Sequence, residues 1–305
     1  MLNRQTLLVV LISIISLSTW FVLLDKHYIQ ATQQCLYAQH EFAPQAGRKV
    51  VMKVKNILNR GLTIEKHLKQ SQYKTRKKLR AAIRDAFEID PHEWHQLMQY
   101  LERIKHRDTL LNPTSISMRN ANPLKARVIR ILKECGINPA RVQLVLLHNP
   151  GTSPACALQK YDTRRKIILH RLELNSAELL NRPLHIQEGI IKHEAMHLRN
   201  YDSMEQGYIE GTLQRYGFQA EKYSQHPAMV QFNHYKELWA DELAALTSMH
   251  TAHALRHDFT CLYHAQGDVH THSHPINSLR MRRLERLISC LEIEQSLRPV
   301  TPAMA

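Results

Sequence analysis

The residues best suited to chemistry are two histidines four positions apart, His193 and His197, with Glu194 directly after the first. On a helix, side chains at i and i+4 lie one turn apart on the same face, so both imidazoles can reach one ion. Zinc suits imidazole nitrogen, and a catalytic zinc site keeps a position open for a water molecule, whose pKa the metal lowers to about 7. Glu194 can then take the proton from that water. This spacing is not specific by itself, and a hydrolytic zinc site also requires a third protein ligand.

A third ligand is predicted in the segment HYKELWADELAALTSM, where Glu237 and Asp241 are again four positions apart. We expect Glu237 to supply an anionic oxygen ligand and Asp241 to accept a hydrogen bond from the far ring nitrogen of His193. Apolar residues surround both pairs, so these polar groups are expected to be partly buried, where a cation removes the cost of unpaired charge. For either pair taken alone, a solvated helix face is the alternative interpretation.

Three segments in this order, HEAMHLRNYDS, ELWADELAA and SHPINSLRMRRLERL, resemble the zinc peptidase family of the CAAX prenyl proteases and the HtpX membrane proteases. The resemblance covers about Val142 to Leu287, and it implies a gluzincin fold, one Zn²⁺ per chain and endopeptidase activity on proteins. By position it implies His193, His197 and Glu237 as metal ligands, Glu194 as catalytic base, Asp241 as the acid behind a ligand histidine, and His274 and Arg280 as catalytic residues that stabilise the oxyanion or hold the substrate. For His274, a reversible plug of the open metal position and a purely structural cap are the alternatives.

The segment SPACALQ falls where that family has an edge strand, which an extended substrate can join by main-chain hydrogen bonds. The predicted substrate strand comprises Ser153, Pro154, Ala155, Cys156, Ala157, Leu158 and Gln159. Several members of the family carry four or more membrane helices, whereas this chain has one candidate, so specificity for a prenylated peptide is not supported. The HxHxH run that ends at His274 is interpreted as a polar loop, with a second metal site as the alternative.

The elements that must position these residues are expected to be mostly helical. Apolar residues at helical spacing predict two amphipathic helices before residue 90, a third that begins at Asp90, and a fourth between Asn122 and Gly136. A buried strand is predicted at Val142–Leu147, followed by a hairpin that turns at Tyr161 and Asp162. The predicted fold class is α+β, mostly helical: a gluzincin-type zinc peptidase domain with a small β-sheet, preceded by a basic helical region and one N-terminal transmembrane helix.

The amino-terminal segment predicts a membrane anchor. Thr6 to Leu24 are 19 residues without a charge, which as a helix measure roughly 28 Å, close to the hydrocarbon thickness of a bilayer. A cleaved signal peptide is the alternative, but no small-residue cleavage pattern follows. Arg4 precedes the run and only Lys26 follows it before Arg48, which favours a single-pass protein with its catalytic domain on the extracytoplasmic (periplasmic) side. The predicted domains are the anchor at residues 1–25, the basic helical region at residues 26–120 and the zinc metallopeptidase domain at residues 121–305.

The positive charge of the chain is concentrated in one region. Between Gly47 and Lys133 there are 21 basic and 7 acidic residues, and the net charge of the whole chain is +14. No aromatic platform or nucleic-acid motif accompanies these basic residues, so a nucleic-acid partner is not expected. Beside an anchor, the cationic helices are expected to rest on anionic lipid or to be a solvated face. The predicted partners are protein or peptide substrates, and the membrane through the N-terminal helix.

Two other functions compete with a peptidase. A catalytically silent zinc-binding adaptor could retain the fold, although such a module has no need of Glu194 between the two histidines. A basic membrane or nucleic-acid binding protein with an accidental HExxH motif would bind no stoichiometric zinc. The five cysteines lie far apart without a CxxC pair, which argues against a thiolate zinc site and against a dense disulfide framework.

Overall fold

A computed structural model describes residues 49–110, 123–149, 153–164, 166–269 and 271–297. The chain divides into two units, the first ending at Arg60 and the second beginning at Gly61. In the first unit, residues 49–58 form helix α1. The features described below belong to the second unit.

Three long helices open the second unit: α2 (Ile64–Ala86), α3 (Pro91–Leu110) and α4 (Pro123–Glu134). Helix α2 begins where the Thr63 hydroxyl accepts a hydrogen bond from the amide of Lys66. Asp90 caps α3 in the same way, since its carboxylate accepts hydrogen bonds from the amides of His92 and Glu93. The two helices predicted before residue 90, the third at Asp90 and the fourth between Asn122 and Gly136 are therefore confirmed as α1 to α4.

A three-stranded sheet follows, made of β1 (Val142–Leu147), β2 (Ala155–Asp162) and β3 (Ile167–Asn175). The strand order is β1-β3-β2, with β3 parallel to β1 and antiparallel to β2. The predicted hairpin of β2 and β3 is confirmed, but its turn follows Asp162 instead of lying at Tyr161 and Asp162. The reason is that both residues still pair in the ladder, Tyr161 with Ile168 and Asp162 with Ile167.

The strand predicted at Val142–Leu147 is confirmed as β1, but the prediction that it is buried was wrong. Because β1 lies at an edge of the sheet, its residues are half-buried or exposed, and the side chain of Leu146 is 49% exposed. The central strand is the buried one, with Leu172 and Leu174 fully enclosed.

The rest of the unit is helical: α5 (Ser176–Leu179), α6 (Leu184–Asn200), α7 (Asp202–Arg215), α8 (Ala220–Ser224), α9 (Pro227–Ala245), α10 (Met249–Gln266) and α11 (Asn277–Leu297). Helix α6 packs against β2, α4, α9 and α10, so it is enclosed on most sides. It therefore carries apolar residues around most of its circumference. These elements confirm the α+β, mostly helical class with a small sheet.

A sharp turn separates α6 from α7. Tyr201 ends α6 in a left-handed conformation, φ 59°, which residues other than glycine seldom adopt. Its hydroxyl donates a 2.9 Å hydrogen bond to the buried carboxylate of Asp108 on α3, and this contact helps to hold the turn. Helix α7 starts at the next residue, so Asp202 is turned back towards the last two turns of α6.

A hydrophobic cluster joins the basic helices to helices that follow the sheet. It includes Ile83 of α2, Leu101 of α3, Ile209 of α7 and Phe232 of α9, all fully buried. Burial of side chains of this size contributes about 1.5 to 3 kcal/mol each. Helices α2 and α3 are thus packed into the same core as α7 and α9, and the predicted domain boundary after residue 120 lies outside the described residues.

The membrane prediction concerns a part of the chain that the structure does not describe. The predicted anchor, residues 1–25, lies wholly outside the described residues. Among the helices within them, none has both the length and the hydrophobicity needed to cross a bilayer.

Candidate metal centre

Three of the predicted residues bring their ligand atoms together between α6 and α9. The Nε2 atoms of His193 and His197 lie 3.1 Å apart, and each lies 3.3 Å from a carboxylate oxygen of Glu237. In a tetrahedral site with bonds of about 2.0 to 2.1 Å, neighbouring ligand atoms are about 3.3 Å apart. The group is buried and its donor spacing can hold a metal ion.

An aspartate faces the outer ring nitrogen of each histidine. Asp241 Oδ1 lies 2.8 Å from Nδ1 of His193 as an ion-pair contact, and Asp202 Oδ2 lies 2.8 Å from Nδ1 of His197 with hydrogen-bond geometry. The hydrogen bond predicted from His193 to Asp241 stays a prediction. A proton on each Nδ1 leaves the lone pair of each Nε2 directed at the other ring and at Glu237. Three electron pairs that converge in this way in a buried site repel one another unless a cation or a proton lies among them. The donor set therefore fits a divalent cation.

The charges at the site also favour protonation of the imidazoles when no metal is bound. Burial by itself would lower the pKa of His193, but the carboxylates of Asp241 and Glu237 outweigh it and raise that pKa to about 9. Burial is likewise outweighed at His197, whose pKa Glu237 and Asp202 raise well above its ordinary value. The pKa of Glu237 lies well below its usual range, because the two imidazoles outweigh the effect of burial. A metal ion would replace these protons.

Arg280 lies behind Asp241 and is buried. Its guanidinium donates two 2.8 Å hydrogen bonds to the two carboxylate oxygens of Asp241 and stacks 3.9 Å from the ring centre of Phe259. Its Nη2 also lies 3.8 Å from Glu237. These contacts hold Asp241 against His193; a direct contact of Arg280 with a substrate stays a prediction.

His274 lies on the accessible side of the group. Its side chain is 55% exposed, and its Nε2 is 3.6 Å from Oε2 of Glu237. The loop is held by Thr271, whose hydroxyl oxygen accepts a hydrogen bond from the amide of His274. An imidazole is thus available next to the candidate metal position and open to solvent.

Glu194 is half-buried, whereas His193 and Ala195 on either side are buried. The negative charge of Glu194 affects the pKa of Cys156, the second residue of β2. Burial, followed by the charges of Glu194, Glu173 and Glu237, raises the pKa of the Cys156 thiol to about 11. Glu194 and Cys156 therefore interact electrostatically between α6 and β2, which pack against one another.

The predicted substrate strand coincides in large part with β2, an edge strand that packs against α6. Ser153 and Pro154 precede the strand, although the Pro154 carbonyl already accepts a 2.9 Å hydrogen bond from the amide of Asn175. The side chain of Gln159 donates a 2.6 Å hydrogen bond to the carbonyl of Leu198 on α6. Gln159 thus fixes β2 to the helix that carries both histidines. The remaining predicted positions, Ala155, Cys156, Ala157 and Leu158, lie within β2.

Two residues that lie behind His197, Asp202 and Arg76, were not predicted from the sequence. Asp202 follows His197 by five positions, a spacing that does not place two side chains together on a continuous helix; only the left-handed Tyr201 brings them together. Arg76 contacts Asp202 across 126 positions of sequence, and no local pattern signals such a pairing. An acid shortly after a predicted helix end was the one available signal.

Comparison of the chain with protein-family models, with curated proteins and with solved structures gave no match. The functional assignment therefore rests on the residues and geometry described above.

Proposed function

We propose that this chain is a zinc-dependent metalloendopeptidase that hydrolyses peptide bonds of protein substrates. The observation that carries the proposal is the convergence of His193, His197 and Glu237 at tetrahedral ligand spacing, with Glu194 half-buried beside them. Three protein ligands with a fourth position open are typical of catalytic zinc sites, whereas structural sites are closed by four.

The chemistry divides between the metal and the side chains. When bound, zinc would polarise the scissile carbonyl and make a water molecule more acidic. Glu194 accepts the proton of the attacking water and delivers it to the departing amine. Asp241 and Asp202 keep the Nδ1 protons of the two histidines in place, so that both Nε2 atoms remain donors to the metal.

His274 is assigned to the developing negative charge on the substrate. Its exposed imidazole lies beside Glu237, where it could donate a hydrogen bond to the carbonyl oxygen of the substrate as negative charge develops there. Arg280, which is engaged by Asp241, acts behind the ligands. If His274 instead plugs the open position, removal of its imidazole would raise activity, whereas loss of an oxyanion donor would lower it.

The substrate is expected to bind as an extended strand along β2. That strand is at the edge of the sheet and packs beside α6, so main-chain hydrogen bonds could align a peptide with the metal. The sequence resemblance to the CAAX prenyl protease and HtpX family agrees with this arrangement and favours a gluzincin-type domain. We further propose that the chain is anchored in a membrane by its N-terminal segment, with this domain on the extracytoplasmic side.

The test is casein cleavage by the purified full-length chain loaded with zinc. We compare wild type with Glu194→Gln, and we use Glu188→Gln as the matched control, because Glu188 lies on the same helix and pairs with Arg130 at the surface. We expect one zinc per chain in all three proteins, and cleavage by wild type and Glu188→Gln only. Phenanthroline should abolish this cleavage.

Zinc bound without any cleavage by wild type would instead favour a catalytically silent adaptor. Cleavage that persists in Glu194→Gln would reject Glu194 as the base. Absence of bound zinc from the wild-type protein would reject the proposal.

A further inference from the structure

The aspartate that faces His197 is itself held by an arginine from the basic region. Arg76, on α2, places Nη2 2.7 Å from Oδ1 of Asp202, while the other carboxylate oxygen of Asp202 faces His197. The side chains are only 6% and 3% exposed. The guanidinium of Arg76 also stacks 4.8 Å from the ring centre of Trp239 on α9. Arg76 is therefore fixed between α2, α7 and α9 and is not a surface cation.

This arrangement repeats on the other side of the centre. His193 is backed by Asp241, and Asp241 by Arg280, just as His197 is backed by Asp202, and Asp202 by Arg76. Each ligand histidine thus has an aspartate and then a buried arginine behind it. Arg280 lies within the segments that resemble a peptidase family, whereas Arg76 lies in the region before them.

Arg76 contacts two buried carboxylates, and Asp202 depends on it more than Glu205 does. Arg76 also donates to the fully buried Glu205, at 2.7 and 3.2 Å. Glu205 has two further cations, Arg80 at 2.7 and 2.8 Å and Lys105 at 3.1 Å. Asp202, in contrast, has Arg76 as its ion-pair partner opposite His197, and the ammonium group of Lys236 acts on it only from beyond ion-pair distance. A buried carboxylate that loses its cation carries a large desolvation penalty, so loss of Arg76 affects Asp202 more than it affects Glu205.

We propose that Arg76 is a positioning residue of the metal centre, which makes the basic helix α2 part of the site. The inference rests on the proposed metal centre but not on its peptidase activity. Without the guanidinium, the Asp202 carboxylate would turn towards water, and Nδ1 of His197 would lose its acceptor. The Nε2 of His197 would then no longer be held at ligand distance from His193 and Glu237.

The same contacts show that part of the basic region faces the interior of the protein and not lipid or solvent. Three cations of the region, Arg76, Arg80 and Lys105, point inward to Glu205 and Asp202, so they are not available to lipid or nucleic acid. Arg80 and Lys105 neutralise Glu205, and Arg76 alone of the three pairs with Asp202.

The test measures zinc affinity of the full-length chain by competition with a chromophoric chelator, alongside the thermal unfolding midpoint. Arg76→Met is compared with Arg76→Lys, and Arg80→Met is the matched control. Arg80 is on the same helix one turn later and pairs with the same Glu205, but it has no ion pair with Asp202. We expect Arg76→Met to weaken zinc binding about 10 to 100-fold, Arg76→Lys to restore part of it, and Arg80→Met to change it less than about twofold.

Equal weakening by Arg76→Met and Arg80→Met would overturn the proposal, because it would indicate a general loss of stability. Unchanged affinity in Arg76→Met would overturn it as well. If Arg76→Met does not fold, Asp202→Asn, which leaves Arg76 with Glu205, carries the same expectation of weaker binding, and wild-type affinity in that variant would contradict it. Zinc binding without casein cleavage by wild type would reject the peptidase and leave this inference standing, whereas absence of zinc from wild type would reject both.

Discussion

At the scale of single residues, the aspartates behind the two histidines determine how the imidazoles meet a metal. A carboxylate 2.8 Å from Nδ1 selects the tautomer whose lone pair is on Nε2. Because both rings are fixed in this way, their Nε2 atoms face each other at 3.1 Å. Such an approach is stable only with a positive charge among the donors.

The first prediction concerns Asp241. Asp241→Asn removes the negative charge opposite both His193 and Arg280, so we expect zinc affinity to fall about 10 to 100-fold. Chelator competition measures the change, and Asp268→Asn is the control, since Asp268 is exposed and contacts Ser278 on α11. Wild-type affinity in Asp241→Asn would show that this carboxylate does not support the metal.

The second prediction concerns the thiol of Cys156. Burial and the neighbouring carboxylates raise its pKa to about 11, and only the thiolate reacts with alkylating agents. Below that pH the thiolate is a minor species, so the alkylation rate of Cys156 should rise about tenfold per pH unit from pH 7 to 10. Mass spectrometry after iodoacetamide pulses in metal-free protein measures the rate. A rate that levels off near pH 8.5 would contradict the raised pKa.

At the scale of elements, local periodicity was sufficient to predict which helices carry the centre. The i, i+4 pairs of His193 with His197 and of Glu237 with Asp241 each lie on one helix face, and this is a property of the helix alone. Apolar neighbours indicated that both faces are buried, and the structure confirms burial of the histidines and of Asp241. The convergence of α6 and α9 was inferred because a hydrolytic zinc site requires a third protein ligand, and Glu237 on α9 was the candidate.

What could not be predicted depends on contacts between distant segments. Asp202 reaches His197 because Tyr201 adopts φ 59°, and tyrosine carries no signal for that conformation. Arg76 was assigned to a lipid-facing or solvated surface, since its helix has many cations and the acids that pair with it are more than a hundred positions away. The exposure of β1 likewise followed from its position at the sheet edge, which local composition does not encode.

The third prediction tests the packing of α6. A Cβ at Gly189 would meet Ala254 and Leu255 of α10 at 3.5 Å, an ordinary contact distance. Gly189→Ala should therefore stabilise the chain by about 0.5 to 1 kcal/mol, because glycine costs that much in a helix interior. Gly189→Leu has no room for its longer side chain and should destabilise it by about 1 to 3 kcal/mol. Urea unfolding measures both, and destabilisation by alanine would contradict the close but permitted approach of α6 to α10.

At the scale of the whole molecule, helices α2 and α3 of the basic region pack into one hydrophobic cluster with α9, which carries Glu237 of the candidate centre. Helices α2 and α3 contribute apolar residues to the core and buried cations to Asp202 and Glu205. The centre thus depends on residues spread from α2 to α11, although its ligands come from only two helices. Binding of a metal should consequently stabilise the entire unit.

The fourth prediction follows from that coupling. With zinc at a thousandfold excess over its dissociation constant, the folded state gains about 4 kcal/mol. Chelation of zinc should therefore lower the thermal unfolding midpoint of wild type by several degrees. Glu237→Gln lacks one ligand and should respond much less to the chelator. An equal response of the two proteins would place the stabilising metal elsewhere.

The central claim is that His193, His197 and Glu237 bind the same zinc ion. X-ray absorption at the zinc edge, on the full-length chain with metal content determined in parallel, tests it most directly. We predict one zinc per chain, bound by two imidazole nitrogens and by oxygen at about 2.0 to 2.1 Å, with the signal lost in a His193→Ala, His197→Ala double variant. Absence of zinc from wild type, or an unchanged spectrum in the double variant, would contradict the account.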